Sequence, residues 1–466
     1  MSPADVRPTA PRRWTTEAVA LLGLGLPLIG SNMAQFAIGL TDTLMLGWYD
    51  VTALAASTLA NSLYFVLFLM GAGFAWAVTP IVAAAVAARQ EAQVRRVTRM
   101  GLWLAAIYGL AVTLPLMWSE RLFLAIGQDP AVAALAQDYL RIAGWAMIPA
   151  LMVTVLRAFL SALELTGMIL WATVGAAVLN ALLNYAFIFG NWGAPEMGIE
   201  GAAVASLGST LLSLAVLGGY ALVKRPEYRL LQRIWRFDAP AFVRVFRLGL
   251  PIGLTSLAES GLFSMTAVMV GWIGAVELAA HGIALNYASA AFMLHLGLSQ
   301  AATVRAGQAM GRHDEAALRL SGRVSTVLSV TAGVLTVILF VSVPGTLVAL
   351  FIDPSDPARG TLLTVGVALL AMAALFNLMD GAQVIALGLL RGVQDTTVPM
   401  IIAAISYWVV GMPVSFVLGF VFGLGAVGVW LGLVVGLGLA AILLMWRFWR
   451  RSVRIGRPGG RGHAYG

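Results

Sequence analysis

The chain reads as an all-α integral membrane protein: twelve transmembrane helices in two six-helix lobes, related by a pseudo-two-fold axis along the membrane normal. Three observations predict this. The 466 residues are 60% hydrophobic and only 11% charged, against about 25% charged in a soluble domain. Basic residues gather in alternate intervals between the apolar runs, which puts them on one side of the membrane, as in a multi-pass protein. The sequence also repeats itself after 224 residues.

Apolar runs long enough to cross a bilayer, roughly 20 residues, fall at 16–47, 52–88, 97–118, 131–157, 167–190 and 200–223. A basic interval follows. Six more runs lie at 241–274, 277–308, 322–351, 360–390, 396–423 and 425–449. The expected organisation is a tail (1–15), an N-lobe (16–223), an inter-lobe linker (224–240), a C-lobe (241–450) and a basic tail (451–466). The polar start, with Arg7, Arg12 and Arg13, lacks a signal-peptide cleavage pattern, so the first run is expected to stay as a spanning helix.

With both termini cytoplasmic, 26 of the 29 Lys and Arg fall on the cytoplasmic side. Only Arg121, Arg141 and Arg359 fall outside. One miscounted helix would scramble that asymmetry, so it supports twelve. The net charge of +8 is then a matter of topology, and no nucleic-acid partner is expected.

The repeat carries Gly25-Leu26-Pro27 onto Gly249-Leu250-Pro251, and Met45, Gly47 and Trp48 onto Met269, Gly271 and Trp272. Phe68, Gly73, Ala77 and Thr79 recur as Phe292, Gly297, Ala301 and Thr303. Six spans per unit put both units into the membrane in the same sense. Parallel repeats around a central cavity are a transporter plan.

Several chemistries are excluded or disfavoured. With no cysteine there is no disulfide and no thiol catalysis. The four histidines make no spaced metal pair, and no Walker loop is present. Asp353 and Asp356 have metal-like spacing but flank Pro354 and Pro357 in an expected external loop, where a turn role is favoured.

Three carboxylates sit where carboxylates are hard to tolerate. Asp42, Glu259 and Asp380 each lie deep in an apolar run, with no Lys or Arg within a helical turn. A charge at mid-membrane costs at least ~2.5–3.5 kcal/mol. An unpaired acid there escapes the cost by binding a proton or another cation. Two readings of Asp42 are open: a helix-end residue facing water, or a cavity group sharing a face with Gln35. Glu259 and Asp380 read as titrating cation sites, with a structural hydrogen-bonded role as the alternative.

Phe376, Asn377 and Gln383 flank Asp380, and an aromatic ring beside an acid suits an organic cation. The competing reading of Phe376 is a core or lipid-facing ring. Asn180 and Asn184 in the fifth span, and Asn286 and Tyr287 in the eighth, either bond helices together or line the cavity. His281 and His295 are expected to be packed and neutral. Pro27 and Pro251 should bend their helices.

Taken together, several stretches resemble the multidrug and toxic compound extrusion (MATE) family, in its NorM-like bacterial branch. They are Pro27, Gln35 and Asp42-Thr43-Leu44-Met45-Leu46-Gly47; Leu250-Pro251 and Glu259; and Ala279-Ala280-His281 with Asn286-Tyr287. Further on come Asn377-Leu378-Met379-Asp380-Gly381-Ala382-Gln383, Leu390-Arg391-Gly392-Val393-Gln394-Asp395 and Ser406-Tyr407-Trp408-Val409-Val410-Gly411-Met412-Pro413. The resemblance covers essentially the whole chain.

It implies the MATE fold, with two six-helix lobes forming a V-shaped cavity in a bacterial inner membrane. It implies cation-coupled export of amphipathic, often cationic, drugs. Acids matching Asp42, Glu259 and Asp380 take part in coupling in that family. The coupling ion is H⁺ or Na⁺, with Na⁺ possible at Glu259 and Asp380. No cofactor, no resident metal and a monomeric state are expected. The alternatives are a lipid-linked flippase, which needs cationic cavity residues, and an integral-membrane transferase, which needs a metal-binding acid cluster.

Overall fold

The computed structural model describes residues 14–355 and 357–455. Arg7, Arg12, Arg13, Asp356, Arg457, Arg461 and His463 lie outside the described residues. The N-lobe comprises α1 (Trp14–Tyr49), α2 (Val51–Trp76), α3 (Val78–Ala87), α4 (Glu91–Leu116), α5 (Ser119–Ala125), α6 (Pro130–Ala162), α7 (Thr166–Phe189) and α8 (Ile199–Lys224). The C-lobe comprises α9 (Ala239–Ile273), α10 (Ala275–Gly311), α11 (Glu315–Ser342), α12 (Pro344–Ala349), α13 (Arg359–Gly392), α14 (Thr397–Ala404), α15 (Met412–Phe416) and α16 (Gly425–Arg447). Two π-helical stretches join α14 and α15 into one span, Thr397–Val421.

Among the described residues, eleven helices are long and apolar enough to cross a membrane. The twelfth span is α10, 37 residues long. It carries Glu277, His281, His295, Gln300, Arg305 and Gln308, which make it too polar to qualify by composition. The interval 322–351, expected as one span, is not one helix. α11 ends at Ser342 and α12 starts at Pro344, because the residue before a proline is driven out of the helical region. Asp353 accepts hydrogen bonds from the backbone N–H and hydroxyl of Ser355, as a turn residue does.

Acidic caps start several helices. Asp50, Asp129, Asp238 and Asp314 each accept a backbone N–H from the first turn that follows, each cap worth about 0.5–2 kcal/mol. Asp238 also anchors the segment between α8 and α9 to α4, through Arg96. That guanidinium holds the Asp238 carboxyl below the usual carboxylate range. Nearby, Trp103 donates to the Ile234 carbonyl at 2.7 Å.

Pro27 and Pro251 do not interrupt their helices: α1 and α9 each run unbroken through the proline. The missing hydrogen bond costs about 3 kcal/mol in a helix interior, and the fold absorbs it without ending either helix.

The internal repeat governs the architecture. Residues 51–87, shifted by 224, become 275–311, the bounds of α10; residue 91 becomes 315, the start of α11. α1 therefore corresponds to α9, and α2–α3 to α10. The lobes meet through these related helices, α1 against α10 and α2 against α9.

The contact is built twice from glycine. A Cβ on Gly25 would meet Leu298, and one on Gly297 would meet the Ile29 backbone at 2.7 Å. In the related copy, a Cβ on Gly249 would meet the Phe74 backbone, and one on Gly73 would meet the Gly249 carbonyl at 2.8 Å and the Gly253 backbone. A real Cβ cannot approach backbone so closely, so glycine alone lets the helices touch main chain to main chain. Gly307 packs on Ala83, its own counterpart under the repeat, so the pseudo-two-fold axis passes between α3 and α10.

The seam lies toward the face carrying most of the arginines, where α1 and α9 begin and α3 and α10 end. Gly73→Leu is expected to force it apart. The chain has no native cysteine, so spin labels on Ala92→Cys and Ala316→Cys, exposed related positions, report the separation. The expected outcome is a longer inter-label distance in the Gly73→Leu variant; an unchanged distance would refute the role of the glycine contact.

Candidate functional site

The three acids occupy two separate polar clusters, one per lobe. Asp42 lies seven residues before the end of α1, about 10 Å along the helix at ~1.5 Å per residue. Glu259 lies fourteen residues before the end of α9, about 21 Å by the same rise. The two clusters therefore sit at different depths.

In the N-lobe, Asp42 Oδ1 accepts from Asn184 Nδ2 at 2.5 Å and Oδ2 accepts from Ser206 at 3.3 Å. The Asn184 amide also reaches Asn180 Oδ1 at 3.2 Å, as i, i+4 neighbours on one helix face can. Tyr139 of α6 stands close enough to Asp42 to feel its charge, and donates to Asn61 of α2 at 3.1 Å. Five helices thus converge on one carboxylate. Asp42 is part-buried rather than at a free helix end. Ser206, Tyr139 and Asn61 are cluster members that sequence reasoning missed, because hydroxyls and a lone amide in apolar helices carry no spacing signal.

In the C-lobe, Glu259 and Asp380 come together. Gln383 Nε2 donates to Glu259 Oε1 at 3.2 Å. Asp380 is 1% exposed and makes no hydrogen bond among the described residues. It and Glu259 act on each other electrostatically, and Tyr407 feels both. Around them, Asp380 Oδ1, Asn377 Oδ1, Gln383 Oε1, Ser406 Oγ and Tyr407 Oη are buried without a partner. Unpartnered buried oxygens are unfavourable. Oxygen donors of this kind suit protons and hard cations.

Arg391 changes one expectation. No basic residue lies within a helical turn of Glu259 in sequence, yet the fold brings Arg391 close enough to act on it electrostatically without an ion pair. Arg391 and Arg157 were both counted at the basic rim. Both lie near the ends of their helices, but their guanidinium groups turn into the protein.

The other expected cavity residues divide between the core and exposed helix faces. Phe376 is 2% exposed and packs edge-on against Phe263 and Trp430, at 5.7 and 5.6 Å between centroids. It belongs to the C-lobe core, with no face free for a cation. Tyr287 donates to the Leu347 carbonyl at 2.9 Å between Phe340 and Phe351, fastening α10 to α11 and α12. Asn286 is exposed and bonds the Gly282 carbonyl of its own helix. Gln35 is exposed on α1, on the stretch leading to Asp42. His281 and His295 are packed, His281 accepting from Trp430 at 3.1 Å and His295 bonded to Ser329 at 2.9 Å.

The seam ends in an ion-pair cluster. Arg305 of α10 binds Glu17 of α1 through two nitrogens, at 2.9 and 2.6 Å, and reaches Glu164 at 3.4 Å. Gln308 donates to Glu164 at 2.9 Å. A further hydrogen bond, Asn32 to Gln300 at 3.5 Å, also crosses between lobes. Among the described residues, the hydrogen bonds and ion pairs joining the lobes all lie on the seam's side of the molecule.

The MatE family model matches residues 27–186 and 251–417, once in each lobe. The chain is 47% identical over 446 residues to a probable multidrug resistance protein NorM of Rhizobium meliloti (strain 1021), covering 95% of each chain. It is 41% identical to one of Agrobacterium fabrum, covering 96% of each. The crystal structure of the eukaryotic MATE transporter AtDTX14 superposes with a TM-score of 0.84 at 19% identity, over 94% of this chain and 97% of that one. A MOP superfamily transporter from Pyrococcus furiosus gives 0.85 at 21% identity, over 93% and 96%. A twofold-repeated helical scaffold with an acid cluster in each lobe, matched along nearly its whole length, places the chain in the MatE family.

Proposed function

We propose that this protein is a secondary active multidrug exporter, an antiporter that moves amphipathic, often cationic, compounds out of the cytoplasm in exchange for H⁺ or Na⁺. The observation that carries the reading is the Glu259–Asp380 pair. Two carboxylates set against each other in the protein interior disfavour both being charged, and a shared proton or cation relieves that. Glu259 has Gln383 and the nearby Arg391 to offset its charge, whereas Asp380 accepts no hydrogen bond among the described residues. The names of the curated relatives support drug export, and a transporter rather than an enzyme.

The basic face is taken as cytoplasmic, in a bacterial inner membrane, with both termini on that side. The seam and the Arg305 cluster close the molecule there, which supports an outward-open state. In the cycle we propose, a cation entering from outside loads onto Glu259 and Asp380. The lobes then part on the cytoplasmic side, with α1 and α9 moving around Pro27 and Pro251. Asp42 tunes the N-lobe. A lipid-linked flippase would need a basic cavity, and three acids against two inward-turned arginines favour the drug exporter.

In proteoliposomes with a pH gradient or a Na⁺ gradient imposed separately, one of the two should drive uptake of a cationic dye such as ethidium. Glu259→Gln and Asp380→Asn should each slow that exchange about tenfold or more, since each removes a charge the cation needs. Dye exchange at the native rate in either well-folded variant would rule the mechanism out.

Asp42→Asn should be milder than either, because its cluster is already hydrogen-bonded. An effect as severe as that of Glu259→Gln would contradict the ranking.

Arg305 and Glu17 are 12% and 3% exposed. Removing one partner of such a pair costs about 3–5 kcal/mol. Arg305→Gln should therefore populate cytoplasm-open states, read as faster modification of a cysteine placed at Gln300 by a water-soluble maleimide. Equal modification rates with and without Arg305→Gln would show that the cluster does not hold the seam.

A further inference from the structure

The segment between α8 and α9 is fixed to the N-lobe rather than slack. Tyr228 packs edge-on against Phe159 of α6, at 5.9 Å between centroids, and Leu230 is buried. Arg99 and Trp103 of α4 donate to the carbonyls of Arg233 and Ile234, at 3.1 and 2.7 Å. A groove of about 410 Å³ remains beside it, lined by Leu222 of α8 and by Arg225, Arg229, Leu231 and Gln232, among others.

The groove is basic, and its charges are poorly matched. From Lys224 to Arg236 the chain carries five basic residues and one acid. That acid, Glu227, lies 3.5 Å from Arg225 Nη1, and both side chains are more than a third exposed, so the pair is weak. Arg225 Nε is buried without a partner. Buried donors are normally satisfied, so an acceptor is missing at this wall. The Arg229 side chain makes no hydrogen bond or ion pair among the described residues. Its backbone is left-handed, φ 45°, where glycine is the easier residue. The turn itself gives no reason for an arginine there.

Position says what kind of anion fits. The α8 span ends at Lys224, so the groove opens at the boundary of the membrane. Leu222 and Val223, in the last turn of α8, are exposed, and so are Leu231, Trp235 and Phe237. Apolar and tryptophan side chains beside basic ones suit a membrane interface. An arginine fork matches a phosphate in shape and charge. Basic clusters directly beyond a spanning helix attract anionic lipids. A free phosphate would use the arginines and leave the apolar side chains bare; a lipid uses both.

We propose that this groove binds the phosphate headgroup of an anionic phospholipid, held by Arg225 and Arg229, with the acyl chains along the last turn of α8. The proposal rests on the membrane-spanning fold and is independent of what the protein exports.

Native mass spectrometry of the detergent-purified full-length protein, offered phosphatidylglycerol and phosphatidylcholine in equal amounts, tests it. Phosphatidylglycerol adducts should dominate. The double variant Arg225→Gln/Arg229→Gln should weaken the tightest of them about tenfold or more, the scale of lost charge-assisted hydrogen bonds, and leave phosphatidylcholine unchanged. Arg450→Gln/Arg451→Gln removes the same charge from other exposed positions and should keep the tightest adduct. No preference for phosphatidylglycerol, no loss in the first variant, or equal loss in both overturns the proposal.

Should Arg225→Gln/Arg229→Gln fail to fold, a bimane label on Gln232→Cys decides, since the chain has no other cysteine. Its fluorescence should change on adding phosphatidylglycerol, and with neither phosphatidylcholine nor inorganic phosphate. An equal change with inorganic phosphate would reveal a free-anion site, and no change with phosphatidylglycerol would leave the groove without its lipid; either result refutes the assignment.

Discussion

Everything in this molecule is arranged around a backbone-to-backbone contact made twice. Helices α1 and α10 touch where Gly297 meets the backbone of Ile29, and α9 and α2 touch at Gly249 and Gly73. Within lipid, helices gain little from burying apolar side chains against each other, so close packing has to supply the attraction. Small residues make it possible. The same contact is confined to one side of the membrane, so the two lobes are held together at one face. A hinge at one face and a cleft toward the other is the mechanical requirement for access from alternate sides.

The clusters break the symmetry that the seam keeps. Under the repeat, Glu259 corresponds to Gln35 and Asp42 to Thr266. Gln35 is exposed, and Thr266 is buried with its hydroxyl on the Leu262 carbonyl of its own helix. Each oxygen of the N-lobe carboxylate accepts a hydrogen bond, whereas in the C-lobe Glu259 accepts one from Gln383 and Asp380 accepts none among the described residues; both clusters hold buried polar atoms without a partner. A buried polar network that is satisfied rigidifies a structure. The duplicated helices carry unlike polar contents: one acid held by Asn184 and Ser206 in the N-lobe, and a pair of acids in the C-lobe.

Burial of charge at the seam follows the same logic of pairing. Arg305 is almost fully enclosed, but with two carboxylates and an amide around it. Arg157, on the neighbouring side of the same junction, has only neutral oxygens. Two arginines that look alike as isolated positive charges in apolar helices therefore differ in kind: one is paired with carboxylates across the lobes, and the other is held by neutral side chains.

The sequence by itself determined the membrane class, the number of spans, their common sense in the two halves and the positions of the three acids. Each follows from local quantities: run length, the side on which arginines gather, and a repeat that needs no folding to be seen. It did not reveal which acids share a site. Glu259 and Asp380 are 121 residues apart, and only the fold brings them together, with side chains of α9 and α13 meeting as Gln383 on Glu259 and Phe376 on Phe263, and Tyr407 and Arg391 beside them. Nor could it separate Phe376 and Tyr287, which serve the core, from Asn184, which holds a carboxylate. Apolar helices present similar residues on every face. Which face meets a neighbour, which meets lipid and which meets a cleft is decided by helix–helix packing, and tertiary structure alone sets that.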